Sequence, residues 1–339
     1  MNEAKKRSIN ESDLVELANA IRDKTHSKGT FTFARMVSEV KTMRKQGNGT
    51  AKDPFIVETM YDLMSLIGLS SCGLTYKIHC KQVKDIDLSS IANWMPISNF
   101  QGVYDGCGHI VSGMTISRSM RNGLFSNMSS GAVVKNLGVV NATITDTSRN
   151  NSGALCGNVS SSKVYNCWCE NTTVIRGGSC EYVGYSGGGL IGAAEGSSVI
   201  ANCFAINTYN YNTAAKSKFN HFGGLIGWMT QSSIIRNSYA TVKSMNSVNN
   251  GIVLSTAAQS NVKVLNCYGE THTNSFKLVA NGSCTTTGSN LVGQSSIKSA
   301  GFVKMLNDSI KATASAIGVA FEELAMWKCE NNDYPILVI

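Results

Sequence analysis

The chain repeats itself, and a repeating chain has few folds open to it. A short apolar block framed by glycine recurs along the middle, followed after about ten residues by an Asn and a β-prone stretch. The copies are Asn122-Gly123-Leu124-Phe125 with Lys135-Asn136-Leu137, and Gly153-Ala154-Leu155-Cys156-Gly157 with Tyr165-Asn166-Cys167. Then come Gly188-Gly189-Leu190-Ile191-Gly192 with Ala201-Asn202-Cys203-Phe204-Ala205, and Gly223-Gly224-Leu225-Ile226-Gly227 with Arg236-Asn237-Ser238-Tyr239-Ala240. A worn copy, Gly251-Ile252-Val253-Leu254 with Leu265-Asn266-Cys267-Tyr268, closes the series. Self-similarity at roughly 30–36 residues marks an array of stacked units, none able to bury its apolar face alone.

The runs are short and β-prone, separated by Gly, Ser and Asn, without a long helical period. This spacing predicts a mainly β fold, a right-handed parallel β-helix (a solenoid) over 53–299, with coils about 4.8 Å apart. Stacking places Leu155, Leu190 and Leu225 in one buried column and Cys167, Cys203 and Ser238 in another. Glycines fall where backbones approach closely, and the recurring Asn forms a ladder of stacked amides. A propeller with blades of similar length is the competing architecture, but its blade signature is missing.

The 339 residues have ample apolar content for a core, 42%, and only 15% charged residues and three prolines, which argues against disorder. The start, MNEAKKRSINESD, has no apolar signal region, and no run is long enough to span a bilayer, so neither export by a cleaved signal nor membrane insertion is expected. The eleven cysteines are therefore expected reduced. The close pair flanking Trp168, Cys167 and Cys169, is expected on opposite faces of a strand. No CxxC or Cys/His cluster has metal-site spacing, so no metal or cofactor is expected. The net charge of +8 lies partly in the first fifty residues, interleaved with acids and without a nucleic-acid motif; it reads as solvated helix faces, not a nucleic-acid partner.

Residues 1–46 read as a small helical module. Leu14, Leu17 and Ile21 lie at helical spacing, as do Met36, Val37 and Val40 after the break at Ser27-Lys28-Gly29-Thr30. Two such helices are too small to stand alone, so they are expected to dock on a partner or on their own copies, a homotrimer being favoured. Residues 47–52 read as a flexible linker. The stretch 300–339, with Phe302, Met305, Leu306 and Ile310 in a stripe, reads as a helical C-terminal cap on the last coil.

Two resemblances add to this reading. Leu14-Val15-Glu16-Leu17-Ala18-Asn19-Ala20-Ile21-Arg22-Asp23-Lys24-Thr25, with Gly29-Thr30-Phe31-Thr32-Phe33 and Met36-Val37, resembles a segment near the start of tail-associated proteins of phages of Gram-positive bacteria. The rest, from Asp53-Pro54-Phe55-Ile56-Val57 through the Gly-Leu-Ile-Gly runs to Trp327 and Asp333-Tyr334-Pro335-Ile336-Leu337, resembles the GLUG-motif β-helix family. That family occurs in large surface and adhesion proteins and in phage-encoded proteins. The resemblances imply a virion structural protein of the tail, baseplate or fibre, joined to other virion proteins through 1–46. A capsid decoration protein or head fibre with the same plan is one alternative, and a β-helix polysaccharide depolymerase is another.

Depolymerase chemistry needs carboxylates held close together, one tuned upward in pKa. The repeats are acid-poor, and Glu170, Glu181 and Glu195 are the one set that adjacent coils bring within reach. Scattered solvated acids are the plainer account, and no histidine has a nucleophile elbow beside it. No catalytic residue is therefore assigned. Binding is better supported. A loop read from Tyr209, Asn210, Tyr211 and Asn212 to Lys218 and His221 combines aromatic faces with amide and cationic groups, which suits a host-surface glycan. Packing between loops is the plain alternative for each aromatic, and a rigid spacer is the third reading of the body.

Overall fold

Successive repeats lie on one another through parallel backbone ladders. The computed structural model describes residues 47–71, 77–147, 150–176, 185–212, 220–245, 249–271 and 276–339. The proposed helices carrying Leu14, Leu17, Ile21, Met36, Val37 and Val40 lie outside the described residues.

The middle turns of the chain visit five short walls. The first stacks Phe55–Val57, His79–Gln82, Val103–Asp105, Val133–Lys135, Lys163–Tyr165 and Val199–Ala201, continues through residues 234–236 and 263–265, and ends on Thr285–Thr287. The second carries Ile110–Ser112, Gly138–Val140, Trp168–Glu170, 204–206, 239–240 and 268–271. The third carries Thr115–Arg118, Thr143–Asp146, Thr173–Arg176 and 209–212. These three walls belong to one long sheet. A second sheet holds a fourth wall, through Tyr185–Gly188 and Asn220–Gly223, and a fifth, through Phe125–Met128, Cys156–Ser160, Ile191–Glu195 and Ile226–Met229. The protein is thus mainly β and built on long parallel sheets.

Period-two alternation decides what lies inside. On the first wall Cys80, Tyr104, Val134, Val164, Ile200, Ile235 and Val264 point inward and are buried. The expected leucine column forms: Leu155 donates to Leu190 O at 2.9 Å, Leu190 donates to Leu225 O at 3.0 Å, and all three are buried. The glycines preceding Leu190 and Leu225 are needed for close approach. A Cβ at Gly189 would lie 2.1 Å from Gly224 O, and one at Gly224 would lie 2.3 Å from Ile252 O.

The cysteine column also forms. Cys167, Cys203 and Cys267 stack with Ser238, and each sends its S–H or O–H to the carbonyl two residues back: Tyr165 at 3.3 Å, Ala201 at 3.1 Å, Leu265 at 3.2 Å and Arg236 at 2.7 Å. Burial pushes the Cys203 thiol up to about 12, so no nucleophilic thiolate is present near neutrality. Cys203→Ser is expected to change stability by less than about 1 kcal/mol, because serine already makes the same bond at 238. Cys203 is also expected to resist a thiol reagent until the protein unfolds; fast labelling of the native protein would contradict this burial. Cys167 and Cys169 both point inward with Trp168 outward, correcting the expectation of opposite faces: residues two apart share a side.

The corner between the first and second walls turns at Asn136, Asn166, Asn202, Asn237 and Asn266, all in the left-handed region with φ of 56, 52, 54, 45 and 51°. Asparagine tolerates this conformation and adds a side-chain amide that reaches the next coil. Asn166 donates to Asn136 at 2.7 Å, Asn202 to Asn166 at 2.8 Å and Asn237 to Asn202 at 2.9 Å. Asp105 accepts from Asn136 at 2.9 Å and closes the ladder at one end. In the worn repeat Asn266 turns its amide to Ser309 instead, at 3.3 Å.

Both ends differ from expectation. Residues 47–52, expected as a flexible linker, form with Asp53 a hydrogen-bonded turn in which Asp53 accepts from Asn48 and Thr50, and Gly49 O accepts from His79 at 2.7 Å. The helix Met60–Ser71 buries Leu63 and Leu66 against the start of the stack and caps the first coil. The C-terminal segment starts at the last coil but does not stay there. Helices Ala300–Asp308 and Ile310–Ile317, then the hairpin of Met326–Lys328 with Ile336–Val338, run back along the flank over the asparagine corner. Asn202 donates to Ala325 O at 2.8 Å, Asn166 to Glu323 O at 2.7 Å and Lys163 to Ile317 O at 2.7 Å. The reason is a second core. The second wall turns Phe204, Tyr239 and Tyr268 outward, and Phe302, Leu306, Ile310, Leu324 and Trp327 cover them. Phe204 stacks on Tyr239 at 5.5 Å, and Trp327 tilts against both.

Candidate functional site

The residues chosen for glycan binding are not one loop. Tyr209–Asn212 belong to the strand Phe204–Asn212 and pair with Thr173–Arg176, because the third wall continues through them. This corrects the loop reading. His221 lies on the fourth wall, in the other sheet, where its Nδ1 meets Thr256 Oγ1 at 2.6 Å and burial lowers its pKa. The side chains of Asn210, Tyr211 and Asn212, and all of Lys218, lie outside the described residues. Trp168 and Trp228 are likewise on different sheets.

The acids separate in the same way. Glu170 faces outward on the second wall, whereas Glu195 ends a strand of the other sheet and accepts from Asn158 at 2.9 Å. Glu181 lies outside the described residues. Glu270 is 1% exposed and accepts the Tyr334 hydroxyl at 2.7 and 2.9 Å, so it secures the C-terminal flank. Asp87 is held below the usual carboxylate range by the Ser89 backbone and side-chain donors, and Asp105 accepts from Cys107 N at 2.9 Å; both serve turns. Among the described residues no group of three His, Cys, Asp or Glu side chains is placed to hold a metal ion.

Two features face solvent in an ordered way. The first is a column of hydroxyls on the third wall. Thr115, Thr143, Thr173 and Tyr209 stand in register on successive coils, with Ser117 and Thr145 in the parallel column two residues on. Their partners Ile116, Ile144 and Val174 point into the core, which fixes the hydroxyls outward. The spacing is about 4.8 Å between coils and about 6.7 Å along a strand, a flat polar grid leading to one aromatic. Sequence reasoning found Tyr209 but missed the threonines, although Thr-x-Thr or Thr-x-Ser recurs at 115, 143 and, in part, 173.

The second feature is a cleft of about 420 Å³ between the second wall and the C-terminal strand, lined by Trp168, Glu170, Lys328, Glu330, Ile336 and Val338. Gly138 gives the Trp168 indole its seat, and Phe204 stacks on the other face at 5.9 Å. Lys328 pairs with Glu330, and Asp333 with Lys298 at 3.3 Å. Among the described residues no hydrogen-bond donor or cation acts on the Glu170 carboxylate. Burial, and then the charge of Asp333, hold it above the usual carboxylate range.

A mainly β class with long parallel sheets is what this architecture defines. No family model matches the chain. Over 125 residues, 34% of its length, it is 31% identical to Halomucin of Haloquadratum walsbyi, of which it spans 1%. A crystal structure described as a putative immunoglobulin A1 protease from Bacteroides ovatus superposes with a TM-score of 0.53, over 86% of this chain and 94% of that one, at 18% identity. At that identity the likeness concerns the fold alone.

Proposed function

We propose that the chain is a phage virion structural protein, a tail, baseplate or fibre component, whose body binds host-surface glycan without cleaving it. Residues 1–46 attach it to other virion proteins, and the body is a right-handed parallel β-helix. Support for the handed solenoid comes from the in-register parallel walls, the GLUG-type repeats and the likeness in fold to the Bacteroides ovatus protein. Support for attachment comes from the resemblance of residues 14–37 to phage tail-associated proteins. The observation that carries the binding reading is the outward column in which Thr115, Thr143 and Thr173 lead to Tyr209, with Ser244 next in register. Hydroxyls donate and accept, and a flat aromatic face receives a sugar C–H face.

Attachment is tested by comparing residues 47–339 with the full chain during particle assembly. The truncated protein is expected to fold but to be missing from purified particles, while the full chain is incorporated. Incorporation of the truncated protein would place attachment elsewhere in the chain.

A further inference from the structure

We propose that the cleft beside the C-terminal strand is a binding pocket for a single uncharged pyranose residue, held by Trp168 and Glu170 against the wall of Ile336 and Val338. This rests on the glycan reading of the body but names a different face from the hydroxyl column. Three observations carry it. The cleft volume, about 420 Å³, lies at the small end of ligand pockets, which run from roughly 300 to 1,000 Å³.

The lining is divided as a sugar is divided. Ile336 and Val338 are 42% and 53% exposed and offer an apolar wall to a ring's C–H face. Glu170 faces them with a carboxylate that has no partner among the described residues, and a carboxylate accepts from two neighbouring hydroxyls at once. Trp168 stands two residues before Glu170 on the same outward strand face and lines the cleft beside it.

The charge balance selects the sugar. Lys328 and Glu330 neutralise each other and Asp333 is engaged by Lys298, which leaves Glu170 as the unpaired charge of the cleft. A uronic or sialic acid, or a phosphorylated sugar, brings a second negative charge beside it and is rejected. Holding an unpaired carboxylate half-buried also costs stability. Its raised pKa means the cost is fully present above the folded-state value, declines as pH falls below it and is gone below the unfolded-state value.

The test is saturation-transfer NMR on the full-length protein with methyl α-glucoside, methyl α-mannoside and methyl β-galactoside, with glucuronate as the anionic probe. Transfer is expected to at least one neutral glycoside and not to glucuronate, and Glu170→Gln is expected to weaken that binding at least fivefold. The same variant should melt at or above the wild-type temperature at pH 7, with the difference vanishing in acid, so lost binding cannot be assigned to unfolding. Transfer to none of the neutral glycosides, equal transfer to glucuronate, or unchanged affinity in Glu170→Gln overturns the inference. Tyr209→Ala separates it from the wider reading. If host-glycan retention depends on Tyr209 while the cleft takes no sugar, only the cleft inference fails.

Discussion

Asn202→Ala should cost about 4 kcal/mol in a urea unfolding experiment, several times the effect of an exposed polar truncation. Asn202 is fully buried and is the point where three parts of the molecule meet. Its amide donates to Asn166 Oδ1 and to Ala325 O, both at 2.8 Å, and its oxygen accepts from Asn237 at 2.9 Å. Alanine leaves those groups buried and unmatched, and it also sits poorly at φ 54°. Asn202→Gly should recover only the backbone share, roughly 1 kcal/mol. Asn171 is the internal control. It has the same left-handed turn, φ 49°, but is exposed and makes longer bonds of 3.4 Å to Asn141 and Asn207. Asn171→Ala should cost about 1 kcal/mol, so comparable losses at 171 and 202 would mean that the buried ladder contributes no more than turn geometry.

Gly189→Ala should be worse still, losing at least about 3 kcal/mol or yielding insoluble protein. The added Cβ meets Gly224 O at 2.1 Å and Thr208 Cγ2 at 2.5 Å, and Gly189 N already donates to Gly223 O and Gly224 O at 3.1 Å. Two backbones must part by about an ångström, and neither can move without breaking the ladder above or below it. Gly301→Ala is the counter-case: in the helix Ala300–Asp308 its Cβ finds only Ser299 Oγ at 3.7 Å, so a gain of up to about 1 kcal/mol is expected. A soluble Gly189→Ala protein with wild-type stability would contradict the close stacking of the repeats.

What could be read from the sequence depended on whether a residue's role recurs. Leu155, Leu190 and Leu225, the asparagine corner and the cysteine column recur across successive coils, so their stacking followed from spacing. The path of residues 300–339 did not. An amphipathic stripe such as Phe302, Leu306 and Ile310 says that a helix is covered, but not by what. The covering surface is made of Phe204, Tyr239 and Tyr268, whose side depends on the pleat direction. Tyr209-Asn210-Tyr211-Asn212 read as a loop because its residues suit turns, yet pairing with Thr173–Arg176 holds it as strand. The candidate site was partly legible for the same reason. Tyr209 stood out as an aromatic, while the threonines beside it are ordinary one at a time and become a surface only when stacked. Glu170 was singled out for the wrong company: its neighbours in space are Trp168 and the C-terminal strand, not Glu195.

The central claim is that this body binds glycan and does not cut it. The direct measurement incubates purified protein with host cell-wall and capsule preparations and reads bound protein and released reducing ends in the same samples. Retention without released ends, falling at least fivefold in Tyr209→Ala, is the predicted result. Released fragments that disappear in Glu170→Gln would contradict it and make the body a depolymerase.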